Sequence, residues 1–434
     1  MLDQTISNVA LPTIAGDMHV SPSAVVWVVN AFQLASTIFI VPLATYGDIV
    51  GFARIYRVGT AIFVVASVFC ALAHDLPSLV VWRTVQGIGA SAILASSQPI
   101  ARFAFPAAML GVALGIQGVI VSTSSAAGPS VGGIILGIGS WPWLFWINLP
   151  FGVLALALSG LLPALPRSNH RFDWPSAALS GLTITLFITG IDQLRAPADP
   201  ALFAAETLAA LILGTLVVRR QRFLDPPFLA VDLMRIRVIR LSLVASILGF
   251  MAQNVVLIAL PFYFRALGYA PAATGFLMTA FPIGTAAVAL IAGRLSDRYH
   301  AGLLGAIGLI VFAGAMALLA LLPEHASTFA IVWRTALGGL GFGVFVSPNL
   351  RAMVGAAPRH RSGAITGLTT TARMTGSTMG VALTALVFST DAATAVTGSG
   401  SMRIALWLAV ALAIATLVIS SLRFEPASAP VSDP

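Results

Sequence analysis

Long apolar runs alternate along this chain with short polar connections. The runs fall near residues 1–15, 23–46, 56–73, 78–100, 109–136, 142–163, 174–194, 201–218, 238–264, 272–293, 301–322, 327–348, 362–389 and 402–422. A helix of about 20 apolar residues, rising about 1.5 Å per residue, crosses the hydrocarbon of a bilayer. The pattern therefore predicts fourteen membrane-spanning helices, the first one short. Turn formers occupy connections such as His74 to Pro77 and Pro323 to Ala326. The longest polar stretch, Arg219 to Arg240, separates spans eight and nine. No connection holds a soluble domain, and the Pro/Ser/Ala-rich tail after Arg423 has the composition of a disordered segment. No charged leader with a small-residue cleavage site opens the chain, so insertion is expected to rely on the spans themselves.

Composition agrees: 58% of residues are hydrophobic and 9% charged, where soluble domains carry roughly a quarter charged. The net charge of +8 comes from 23 basic residues, all Arg, against 15 acidic ones. Such an excess would suit nucleic acid, but these residues sit between spans. Seventeen lie in loops after even-numbered spans or in the tail, three (Arg195, Arg265, Arg403) on the other side, and Arg83, Arg334 and Arg373 inside spans. Loops rich in Arg stay cytoplasmic. The expected protein is a multi-pass protein of the plasma (inner) membrane with both termini cytoplasmic. The distribution gives the membrane protein an Arg-rich face and an Arg-poor face. The single cysteine, Cys70, rules out an internal disulfide and reads as packing.

The chain also repeats. Ala10-Leu11-Pro12 recurs as Ala259-Leu260-Pro261, Asp48 as Asp297, Trp82-Arg83-Thr84 as Trp333-Arg334-Thr335, and Gly111, Gly115 and Gly128 as Gly363, Gly367 and Gly380, at offsets of 249, 249, 251 and 252. Parity is equal in the two copies, so the repeat is parallel. It implies two six-helix halves, 1–163 and 238–423, with two inserted spans and a linker in 164–237 and a tail at 424–434. A largely apolar run of eighteen residues from Leu241 precedes Ala259, whereas nine residues precede Ala10. About half a helix is thus expected to be missing from the first span.

Several motifs give this arrangement a family resemblance. They are Leu2-Asp3-Gln4-Thr5-Ile6-Ser7-Asn8-Val9-Ala10-Leu11-Pro12, then Trp27, Asn30, Phe32 and Leu34, then Arg83, Gln86, Gly87 and Gly89, then Gly128-Pro129 with Gly132-Gly133, and Trp141-Pro142-Trp143-Leu144-Phe145-Trp146-Ile147-Asn148-Leu149-Pro150. Over essentially its whole length the chain resembles the major facilitator superfamily, in particular its fourteen-span drug/proton antiporter branch of EmrB/QacA type. The resemblance implies an all-α major facilitator fold with two extra spans between its halves. It also implies gating residues in the loop after span two, Gly47, Asp48, Gly51 and Arg54, and in the second copy, Gly293, Asp297 and Arg298. Ile49, Phe52 and Ala53 stand where that loop commonly holds positive charge.

Small-xxx-small spacing lets backbones approach where lipid offers no hydrophobic drive. Gly111/Gly115, Gly128/Gly132, Gly363/Gly367 and Gly376/Gly380 have it, and their matched places predict packing across a rocking interface. Pro129 beside Gly128 predicts a local gap in the hydrogen-bond ladder.

A charge at the centre of a membrane helix costs about 2.5 to 3.5 kcal/mol on insertion scales, so each one needs a reason. Asp3 is the one carboxylate placed centrally in the twelve spans of the halves, and it is expected to carry the coupled proton, tuned by Arg83 and Gln86. The alternatives are an exposed helix-end Asp3 and an Arg83 that snorkels to the outer interface. Asn8, Asn30, Gln33, Gln117, Asn254 and Arg373 are expected to line a substrate cavity. Arg334 reads as the structural copy of Arg83, and Glu206 and Asp192 as solvated groups at the ends of the inserted spans.

HExxH, paired CxxC and GxxxxGK[ST] motifs are absent from the sequence, so metalloprotease and ATPase chemistry lack their residues. No cofactor is expected. The expected function is a monomeric, gradient-driven exporter of amphipathic, cationic or neutral, organic compounds in exchange for protons, with substrate, protons and bilayer as its partners and no nucleic acid. Export of one endogenous metabolite and a transport-dead receptor or scaffold are the alternatives.

Overall fold

The computed structural model describes residues 2–105, 110–162, 172–193, 200–221, 231–295, 301–323, 326–357, 362–394 and 400–423. The helices are α1 (Leu2–Asp17), α2 (Pro22–Val25), α3 (Trp27–Val50), α4 (Phe52–Ala71), α5 (Leu76–Ala104), α6 (Leu110–Ile138), α7 (Trp143–Trp146) and α8 (Asn148–Leu158). They continue with α9 (Trp174–Gln193), α10 (Pro200–Gln221), α11 (Arg237–Ala266), α12 (Pro271–Leu295), α13 (Ala301–Ala320), α14 (Thr328–Ala356), α15 (Ser362–Thr394) and α16 (Gly400–Ser421). With α2 and α3 taken as one segment, and α7 and α8 as another, these helices fill the fourteen expected spans. Among the described residues, nine helices are long and apolar enough to cross a membrane, and no strand occurs. Large apolar side chains such as Ile138, Phe151, Val153 and Leu161 are exposed, as lipid-facing positions must be. In α1 there are 16 residues, against 30 in its repeat partner α11.

Backbone contacts carry the repeat. A side chain at Gly59 would run into Ala92 and the Gly89 carbonyl, and one at Gly89 into Phe63 and the Gly59 carbonyl. In the second half Gly308 and Gly341 meet in the same way, beside Phe312. Likewise Gly87 abuts the Phe32 carbonyl as Gly339 abuts that of Phe281, and Gly128 faces Leu2 and Thr5 as Gly380 faces Met251 and Asn254. The α5 cap, Asp75 accepting from the Ser78 amide at 2.7 Å, has its counterpart 252 residues on in Ser327, which accepts from Ala330 at 3.2 Å. Within α5 and α14 the offset is therefore 252 throughout, and not the 251 that the Trp-Arg-Thr triplet suggests. Arg334 stands in the place of Trp82, and Arg83 is matched by the buried Thr335. Arg334 accordingly lies over the Trp333 ring at 4.5 Å and donates to the Ala330 carbonyl.

The expected glycine interface needs a second correction. Gly128 and Gly132 pack on α1, and Gly376 and Gly380 on α11, so these pairs close each half internally. Between the halves, Gly133 on α6 meets Ala272 and Gly275 on α12, and Gly275 faces the Pro129 carbonyl. Ser130 and Thr279 share a 2.6 Å hydrogen bond beside them. This seam lies at the Arg-poor ends of α6 and α12. Helix α6 runs through Pro129 without interruption. The inserted helices pack on each other, with Gly181 of α9 against Ile38 of α3, and Arg220 of α10 pairs with Asp173 at 3.0 Å.

Candidate functional site

Helix α1 carries Asp3 one turn before Ser7, whose hydroxyl donates to the Asp3 carbonyl at 2.7 Å. Three residues apart on α5, Arg83 and Gln86 share one face, turned toward α1. Arg83 is fully buried and Asp3 only 7% exposed, so neither the snorkelling Arg nor the exposed helix-end Asp is found. Their ion pair spans 2.8 Å from Nη1 to Oδ2. The other carboxylate oxygen accepts from Asn148 Nδ2 at 2.8 Å and from Gln86 Nε2 at 3.3 Å. Three donors and no acceptor surround the carboxylate, an arrangement suited to its ionised form.

The guanidinium is held as firmly. Its Nε donates to the Val28 carbonyl at 3.1 Å and Nη1 to Gln86 Oε1 at 2.6 Å. The Phe32 ring lies 4.4 Å away and that of Phe145 5.6 Å, a cation–π enclosure. Gln86 also donates to Ser67 at 2.8 Å. Only Nη2 of Arg83 lacks a partner. A buried pair survives where its remaining lone pairs and protons are satisfied, and five helices supply that here.

Sequence reasoning missed Asn148 and Ser67. Asn148 stands inside the Trp-rich run at the first turn of α8, where it is one neutral amide among aromatic residues; Ser67 is one of several serines in apolar spans and carries no signal of its own. Cys70, read as packing, also points its thiol toward Gln86 Oε1 at 3.9 Å.

A second polar layer joins the halves. Gln33 donates to Asn254 at 3.4 Å, Asn254 donates to Ser377 at 2.8 Å, and Thr37 meets Thr378 at 3.1 Å. Several buried atoms here lack partners: Asn8 Oδ1, Gln33 Oε1 and both amide atoms of Asn30. Such groups need a guest or water to be satisfied. Arg373 does not join this layer; it lines a separate cavity of ≈ 180 Å³ between α11, α14 and α15.

The loop after α3 turns at Gly51, whose φ of 98° falls in the glycine-favouring region. Gly47 is packed on the Phe52 ring, and Asp48 and Arg54 are exposed. Gln117, Gly293, Asp297, Arg298 and Asp192 lie outside the described residues and side chains. Glu206 differs from the expected solvated group: it is partly buried and its Oε2 has no partner. Among the described residues no set of three His, Cys, Asp or Glu could hold a metal ion.

The family described as Major Facilitator Superfamily matches residues 1–381 and 242–434. The chain is 41% identical over 427 residues to the "Uncharacterized transporter YebQ" of Escherichia coli (strain K12), covering 98% of this chain and 92% of that protein. It is 31% identical to the "Riboflavin transporter RibZ" of Clostridioides difficile (strain 630), over 83% of this chain and 79% of that one. Among solved structures, a bacterial homolog of the human lysosomal transporter Spinster, in an inward-facing and unoccupied conformation, has the same fold. Its TM-score is 0.70 at 16% identity, covering 97% of this chain and 93% of that one.

Proposed function

Given that this chain belongs to the Major Facilitator Superfamily, whose members are membrane transporters, we propose that it is a secondary active exporter exchanging protons for amphipathic organic compounds by alternating access. The observation that carries this reading is the buried Asp3–Arg83 pair. Antiport needs a group whose protonation and cargo occupancy exclude each other. Protonating Asp3 removes the charge that Arg83, Gln86 and Asn148 stabilise, and releases α1 from α5. Since α1 also packs on α11 of the other half, that release bears on how the halves meet. Asp3 is thus the proton carrier, Arg83 and Gln86 tune it, and Asn148 and Ser67 complete its shell. Asn8, Asn30, Gln33, Gln117 and Asn254 form the cargo path, and Arg373 serves it from the cavity between α11, α14 and α15.

The moving bodies are residues 1–163 and 238–423, with 164–237 inserted between them and 424–434 as a tail. They meet at the Arg-poor end in the seam of Gly133 and Gly275. The 17-to-3 Arg distribution supports cytoplasmic termini, which puts this seam on the outer face. Gly47, Asp48, Gly51, Arg54, Gly293, Asp297 and Arg298 gate the Arg-rich end, and Gly128, Pro129, Gly132 and Gly133 the packing of α6. A metabolite exporter is the second reading, supported by the 31% identity to a riboflavin transporter.

The test is proton movement in proteoliposomes carrying the purified chain, driven by a panel of dyes, antibiotics and metabolites. The parent should move protons with at least one compound, and Asp3→Asn should abolish this while remaining folded in the membrane. Unchanged rate and pH dependence in Asp3→Asn would transfer the carrier role elsewhere, first to Glu206.

A further inference from the structure

The two membrane-embedded arginines of the proposed cargo and proton machinery differ in one respect. Arg83 has its carboxylate, whereas among the described residues nothing donates to, accepts from or pairs with Arg373. It is the twelfth residue of α15, about 17 Å along the helix, and is partly buried where it lines the cavity. Apolar walls come from Phe250, Phe345, Val346 and Leu350. Ser246, Thr369 and Thr370 add hydroxyls to the lining, and its one amide, Asn349, is already committed. Its Oδ1 accepts from Arg423 Nη1 at 2.6 Å, and its Nδ2 donates to Ser246 at 2.8 Å and to the Ser242 carbonyl at 3.2 Å. Behind the cavity wall there is thus a second cation and no described carboxylate.

A cation in a low-dielectric surround is stabilised by an anion or neutralises itself, and the guanidinium fork matches a carboxylate bidentately. The volume of ≈ 180 Å³ is that of about one aromatic ring, since an engineered apolar cavity of about 150 Å³ admits benzene. We propose that this cavity is a subsite for an aromatic carboxylate, bound through Arg373 with its ring between Phe250 and Phe345. It follows, resting on the transport reading above, that the cargo is anionic at one end. The cationic cargo suggested by a lone Asp3 loses its argument, because that carboxylate is occupied by Arg83, Gln86 and Asn148.

The experiment uses the full chain in detergent with phosphatidylcholine, and reads ¹⁹F line broadening of 4-fluorobenzoate, 4-fluorobenzamide and 4-fluorobenzylamine. The carboxylate alone should bind saturably. Arg373→Gln should weaken it about tenfold or more, as expected for lost hydrogen bonds to a charged group, and Arg373→Lys should retain part of the affinity. Equal binding of the three probes to the parent protein, a comparison that needs no variant, overturns the proposal. So does unchanged carboxylate affinity in a folded Arg373→Gln. If phosphatidylglycerol is bound through Arg373 while no small carboxylate binds in phosphatidylcholine, the cation serves a lipid phosphate and the proposal also fails. Binding is read without a gradient, so absent proton movement with intact Arg373-dependent binding overturns the transport reading and leaves the subsite standing.

Discussion

Removing both partners of the Asp3–Arg83 pair should cost less than the two single removals added together. At 2.8 Å and an effective dielectric of about 20, the pair's attraction is roughly 6 kcal/mol, opposed by several kcal/mol of desolvation for each ion. Asp3→Asn leaves the Arg83 guanidinium buried without a counter-charge. It also sets an amide N–H against one of three donors, from Arg83, Asn148 or Gln86. Arg83→Gln leaves the carboxylate with two amide donors and frees the Val28 carbonyl. Each single variant should lose about 3–5 kcal/mol. The double variant has no stranded charge, so its loss should fall short of the sum by about 2–3 kcal/mol. The assay is unfolding of the parent, both single variants and the double variant in mixed micelles of graded sodium dodecyl sulfate content, followed by tryptophan fluorescence. Losses that add within about 0.5 kcal/mol would show that the ions do not depend on each other, and the release step built on their pairing would fall with them.

Gly275→Leu should force α12 from the Pro129 carbonyl and open the Arg-poor seam. With Cys70 buried, a Ser130→Cys probe should then react severalfold faster with a membrane-impermeant maleimide from that face, and an unchanged rate would deny the seam its closing role. Asp75 is held below the ordinary carboxylate range by hydrogen bonds from the Ser78 side chain and amide. A depressed folded value means its stabilisation is present at neutral pH and disappears as pH falls through the carboxylate range. Asp75→Ala should therefore melt below the parent at about pH 7, with the gap closing near pH 3. A gap independent of pH would remove the charge from the explanation.

Hydropathy alone made the fourteen segments legible, because each run must satisfy its backbone in lipid and only a helix does so. Asp3, Arg83 and Gln86 were legible as a site for a related reason: charge inside a span demands a partner. Asn148 and Ser67 were not, since neutral polar residues near helix ends are common and their meaning comes only from which helices converge. The repeat was read correctly in outline and misread in register. The Trp-Arg-Thr string matches at 251, yet the close backbone approaches of Gly87 and Gly89, repeated at Gly339 and Gly341, fix the alignment at 252. Thr335 rather than Arg334 is thus the partner of Arg83, and chemistry present in the first half has no copy in the second. The burial of Glu206 Oε2 was also invisible, since position near a span end says nothing of what packs there.

The glycine seams inside each half bear on mechanical advantage. Where α4 meets α5, and α13 meets α14, main chain touches main chain with no side chain between them, so no rotamer change can absorb a displacement. The helices of a half then tilt together, as a stiff beam. Helix α5, with 29 residues, is about 43 Å long. A tilt of roughly ten degrees about its middle carries each end by about 4 Å. That exceeds the reach of any hydrogen bond holding the halves together, so a small rotation started near Asp3 suffices to part the Ser130–Thr279 contact at one end while the other draws in.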